Sequence, residues 1–206
     1  MRHSFPLLLA LAAAPLMAQA AGTAKNIPGA PDLTRVVAGT YKVEPSHTQV
    51  NWAVNHMGLT QFSGAFADST GTLVIDPKRP EAAMLSITIP IDHVVTTSAA
   101  LNKHLKSADF FDAAKYPTAT FVSTQVQAMG QRAKISGNLT LHGVTRPVVL
   151  DARFVGAGMA AMGPKVLNMG FEATTRISRS DFGIKYAIPL VSDTVELAVN
   201  AAFVKE

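Results

Sequence analysis

The side chains of this sequence that could do chemistry are few and scattered. His47 and His56 stand nine positions apart, and His93, His104 and His142 follow singly. No two share the i,i+4 or His-x-His spacing that turns imidazoles onto one metal, and the chain has no cysteine to supply a thiolate. No metal site is expected, and the histidines read as individual hydrogen-bonded residues. His56 stands apart because it continues the face of Trp52 and Val54. No serine sits in Gly-x-Ser-x-Gly, so a nucleophile elbow is not expected. Asp109 and Asp112 flank Phe110 and Phe111 and could form an acid pair, or join His104 in acting on a ligand. Helix-end and turn roles suit both carboxylates better. Asp181-Phe182-Gly183 matches a kinase tripeptide without its phosphate loop, and Asn138-Leu139-Thr140 is a formal sequon inside a strand pattern. Neither carries weight.

The elements that would position these residues follow from the rest of the chain. Its 206 residues suffice for one domain with a real core. Met1-Arg2-His3, the apolar run Phe5 to Met17 and Ala18-Gln19-Ala20 read as the three parts of a secretory signal over residues 1–20, too short to span a bilayer. No cysteine near residue 20 invites a lipid anchor. Export is the expected outcome, and it argues against ATP- or NAD-dependent chemistry. Residues 21–39, rich in Ala, Gly, Pro and Thr, read as a flexible leader, and 40–206 as the folded domain. With no cysteine there is no disulfide frame, so the core must supply the stability. Later segments never reach eighteen consecutive apolar residues, and a soluble mature chain is expected. The net charge of +4 is interspersed, without a basic stripe among aromatics, so nucleic acid is not an expected partner.

From Tyr41 the pattern has a period of two. Val50, Trp52 and Val54 share one face; Leu85, Ile87, Ile89 and Ile91 share another. Ser69-Thr70-Gly71 reads as a turn between strands. Ala133, Ile135, Gly137, Leu139 and Leu141 alternate with polar residues, and Val148, Leu150, Ala152 and Phe154 repeat the pattern on the way back. Strands around Phe171 and Val199 close the chain. About eight antiparallel strands joined by short turns suggest a closed barrel or a sandwich. Closure also gives the long final strand partners on both edges.

One stretch departs from this pattern. In Ser98 to Phe121, Leu101 and Leu105 lie four apart, Ser98 can cap a short helix, and Lys103 and Lys106 fall in its later turns. The Phe110-Phe111 pair follows, and Tyr116-Pro117 ends the insert. The insert is expected to cover one end of the barrel. Adjacent aromatics in a turn cannot share a face, so one should point inward and the other pin the insert to the rim.

The apolar residues exceed what a small barrel needs as filler. If the lumen is open, its natural guest is a chain-like apolar molecule, because each buried methylene contributes about 0.8 kcal/mol. Lumen candidates are Trp52, Leu85, Ile87, Leu101, Phe110, Phe111, Phe121, Leu139, Leu141, Phe154 and Phe171. Candidates for a headgroup, at a mouth near the insert, are His56, His104 and Arg179.

Six segments in order carry a resemblance. They are Tyr41-x-Val43-x-x-x-Ser46-His47-x-x-Val50; Val54-x-His56-Met57-Gly58-Leu59 with Phe62-x-Gly64-x-Phe66; Leu105-x-Ser107-x-Asp109-Phe110-Phe111-Asp112; Tyr116-Pro117-x-Ala119-Thr120-Phe121; Gly137-x-Leu139-Thr140-Leu141-His142-Gly143-Val144-Thr145-x-Pro147-Val148; and Arg179-x-Asp181-Phe182-Gly183-Ile184. Together they resemble the YceI family of exported bacterial proteins over residues 41–205. The resemblance implies an all-β fold: an extended, eight-stranded, antiparallel lipocalin-like barrel with a short helical insert. It also implies a periplasmic carrier, not an enzyme, with no cofactor beyond a bound polyisoprenoid lipid or isoprenoid quinone. Transient contact with the inner membrane or a cytochrome b561, and a homodimer, are further expectations. The rival readings are an enzyme acting on such a lipid and a stress-related interaction protein that uses the barrel as scaffold.

Overall fold

The computed structural model describes residues 27–206. The signal expected over residues 1–20 lies outside the described residues.

Alternating apolar residues give eleven strands, and their pairing joins them into eight staves. Strands β1 (Gly39–Val43) and β2 (Gln49–His56) run end to end. So do β3 (Thr60–Phe66) with β4 (Thr70–Ile75), and β5 (Met84–Pro90) with β6 (Val94–Val95). The other staves are single strands: β7 (Thr118–Met129), β8 (Arg132–Leu141), β9 (Val144–Met159), β10 (Leu167–Ser178) and β11 (Thr194–Lys205). Every pairing is antiparallel. β11 pairs with β10 on one side and with β2 and β1 in turn on the other, at Asn200↔Gln49 and Val43↔Phe203. The sheet therefore closes into an eight-stave barrel, which leaves no long edge strand free to aggregate.

The divided staves correct one sequence expectation. Ser69-Thr70-Gly71 is not a turn that reverses the chain. Residues 67–69 are a kink, after which the stave continues: β2 pairs with β3 and β1 with β4. The neighbouring staves break alongside, at the 3-10 turns Pro45–His47 and Ile91–His93. Asp68 has φ 55° at this seam, and the Ala67 N–H donates to the His93 carbonyl at 3.2 Å.

The insert forms helix α1 (Ala99–Leu105), whose cap, the Ser98 hydroxyl oxygen, accepts from the Leu101 N–H at 3.3 Å. Phe111 meets Phe66 edge to face at 5.4 Å, whereas Phe110 packs against the rings of His104 and Tyr186 at 5.0 and 5.1 Å. The adjacent aromatics thus part, one inward and one to the rim.

Residues 27–38, expected as flexible leader, pack across the opposite end. Ala30 bridges Ala157 in antiparallel fashion, and the Gln131 amide donates to the Pro31 carbonyl at 2.6 Å. Asp32 caps a 3-10 turn at Leu33–Arg35, Val36 is buried, and the Tyr41 hydroxyl donates to the Val37 carbonyl at 2.6 Å. A segment poor in large apolar groups is held here by backbone pairing, which composition does not register.

Candidate functional site

Between the two ends lies an apolar cavity of about 220 Å³. Its wall is built by a row of small residues in matched register. Ala133 of β8 faces Ala152 of β9, which faces Ala173 of β10, and the row continues through Val199 of β11 to Val50 of β2. All five line the cavity. Large residues at these positions would fill the bore; small ones leave it open.

Six of the eleven lumen candidates line this space: Leu85, Ile87, Phe121, Leu139, Phe154 and Phe171. Phe121 fits because Gly137 on the neighbouring stave offers it room; a Cβ there would collide with the ring. Trp52, Leu101, Phe110, Phe111 and Leu141 do not line the cavity. They belong to the packed cluster at the insert end, around Ile91, Val94, Phe182 and Ile184, each 3% exposed or less. Trp52 leans over Gly64 and packs on Phe62 at 6.3 Å.

The mouth also differs from expectation. The cavity reaches the surface away from the insert, where its lining includes Leu33 of the leader, Pro80 and Ala83 between β4 and β5, and Gly130, Gln131 and Arg132 at the β7–β8 turn. The insert end is closed because α1 and the aromatics after it fill the bore.

None of the three headgroup candidates lines the cavity. His56 is exposed at the end of β2, bridged to Val191. Arg179 is buried, and its guanidinium is occupied by backbone: Nε donates to the Ser192 carbonyl at 2.9 Å, Nη1 to Ile184 at 3.2 Å and Tyr186 at 2.7 Å, and Nη2 to Val191 at 2.9 Å. It ties down the loop 183–193. Asp193 joins this tie by accepting from the Ser180 hydroxyl and N–H at 2.7 and 2.8 Å. Those bonds, chiefly the hydroxyl's, and the nearby Arg179 charge hold its carboxyl below the usual range.

His104 does meet Asp109, with Nε2 2.8 Å from Oδ2, and its ring also packs on Tyr186 at 5.2 Å. This pair sits on the outer side of the insert, not on the cavity wall. Among the described residues, no three His, Asp or Glu side chains converge as metal ligands.

The sequence reading missed the alanine row as a functional feature. Its signal was present: small residues recur on the apolar faces of three consecutive strands. It also missed two hydroxyls at the wall, Thr48 and Ser69, both buried.

The chain belongs to the YceI family. The family model of the YceI-like domain matches residues 41–203. Protein YceI of Escherichia coli O157:H7 is 41% identical over 172 residues, covering 82% of this chain and 89% of the relative. The crystal structure of the Campylobacter jejuni YceI protein superposes with a TM-score of 0.65 at 29% identity, covering 74% of this chain and 90% of that one. A polyisoprenoid binding domain from Saccharophagus degradans, implicated in plant cell wall breakdown, shares the fold with a TM-score of 0.62 at 14% identity, over 81% of this chain and 98% of that one.

Proposed function

We propose that the protein is a periplasmic carrier that holds the chain of an isoprenoid lipid or quinone in its barrel. The observation that carries this reading is the apolar cavity kept open by Ala133, Ala152 and Ala173. A void of this kind forfeits packing contacts unless something fills it. An apolar cavity of about 150 Å³ takes one benzene molecule. By the same ratio, 220 Å³ takes roughly nine carbons, or about two isoprene units. A five-carbon unit contributes roughly 3–4 kcal/mol before ordering costs. A longer chain must displace side chains or emerge at the leader end.

The binding specificity named for the Saccharophagus degradans domain, which shares this fold, supports the same guest class. The signal-like residues 1–20 support the periplasmic site, and the family resemblance supports transient contact with the inner membrane or a cytochrome b561. A carrier is favoured over an enzyme because the His104–Asp109 pair does not border the cavity.

Mass spectrometry of organic extracts from protein purified out of its native cells tests the reading. An isoprenoid lipid present in stoichiometric amount is the expected result. Absence of lipid, together with failure of added prenyl alcohols to bind, would remove the carrier function.

A further inference from the structure

We propose that Ser69 is the polar anchor of the cavity, and that the guest enters with a neutral oxygen-bearing end first. The inference rests on the carrier reading and assigns the orientation and headgroup chemistry that reading leaves open. Among the described residues, two buried side-chain polar atoms have no hydrogen-bond partner: Trp52 Nε1 and Ser69 Oγ. Of these two residues only Ser69 borders the cavity, and it is fully buried. The other buried hydroxyl at the wall, Thr48, is satisfied within the protein: it accepts from the Ala202 N–H at 3.0 Å and donates to the Ala202 carbonyl at 3.3 Å. Buried polar side chains are nearly always paired, so an orphan at a cavity wall calls for a partner from outside the chain.

The position fixes the orientation. Ser69 precedes the first residue of β4, whereas the mouth lies beyond the last, Ile75. Six residues of strand place the hydroxyl about 20 Å inward along the stave. A ligand oxygen bonded there leaves its isoprenoid chain directed at the leader end.

The surroundings fix the chemistry. The lining residues that the strand register sets around Ser69 are Val43, Val50 and Ile89, and the charged lining residues Arg132, Arg153 and Glu172 lie together towards the β7–β8 turn. With no cation beside it, the anchor suits an alcohol or quinone oxygen, since an ionised phosphate would be buried unpaired. A serine hydroxyl both donates and accepts, so either oxygen can be met.

The test measures binding of farnesol, farnesyl phosphate and the saturated hydrocarbon farnesane by isothermal titration calorimetry. Wild type and Ser69→Ala are compared, with thermal unfolding of both empty proteins. Wild type should prefer farnesol, and Ser69→Ala should weaken farnesol by about two- to tenfold while leaving farnesane unchanged. The empty variant should be at least as stable as wild type, because it loses an unsatisfied hydroxyl. Equal loss for farnesol and farnesane, or no loss for either, overturns the anchor while leaving the carrier intact. Tighter binding of farnesyl phosphate than farnesol overturns the neutral headgroup. Failure of all three probes to bind wild type removes the carrier and the anchor together.

Discussion

The two ends of this barrel share one hydrogen-bonded frame and differ in what fills it. At the insert end Trp52, Phe66, Leu141 and Phe182 meet in a packed cluster, with Phe111 from the insert packed against it. Towards the leader end the wall is Ala133, Ala152 and Ala173, and the bore stays open. Both regions are apolar and both are closed by backbone pairing. Side-chain volume, not polarity, therefore decides which part of the barrel is core and which is container.

That contrast predicts opposite responses to substitution. The largest effect belongs to the closed end. Arg179→Ala should destabilise by about 3–5 kcal/mol, because it strands the carbonyls that its guanidinium satisfies. Urea unfolding measures it, and a loss under 1 kcal/mol would show that the loop 183–193 is held by other contacts. Phe111→Ala should cost about 2–4 kcal/mol in the same assay, as a cavity-forming change in the closing cluster. Should it instead release ligand with no loss of stability, the insert would be a lid and the two ends would not differ as argued.

At the open end Ala152→Leu should leave stability within about 1 kcal/mol of wild type. It fills space that a ligand would use, so prenyl alcohol affinity should fall by roughly 2 kcal/mol, about thirtyfold. Unchanged affinity would place the guest elsewhere. The smallest effect concerns pH. The Asp193 carboxyl is held below its ordinary range, so its contribution to stability is complete above the unfolded value of about 3.9. It is lost as pH falls through the lower folded value. Asp193→Asn should flatten the acid limb of stability against pH, and an identical acid limb in variant and wild type would assign that limb to other carboxylates.

Much of the frame was legible in the sequence because period two is a local signal. The runs around Leu139 and Phe154 mark their staves, and Ser98 marks the start of α1. The separation of Phe110 from Phe111 followed from turn geometry. What escaped was long-range. A kink within a stave and a turn between strands use the same residue types, so Ser69-Thr70-Gly71 could be resolved only by knowing that β1 pairs with β4. Period two also could not say which candidates lie beside the cavity and which in the solid end, because that depends on where the insert packs. Arg179 stands as a headgroup candidate in the sequence because the carbonyls that occupy it come from a loop whose path no local pattern predicts. The leader was misread for a related reason: Ala30 is held by its backbone, to which side-chain composition is blind.

The alanine row has a consequence for diversification. Its members belong to three strands, yet each can change without breaking a ladder hydrogen bond, because only the inward side chain is altered. The calibre of the barrel is thus separable from its construction. Exchanging Ala133, Ala152 or Ala173 for Val, singly and together, should narrow the bore in graded steps. A family built on this frame can match thinner or thicker guests by point substitution, with no change in strand number, tilt or loop.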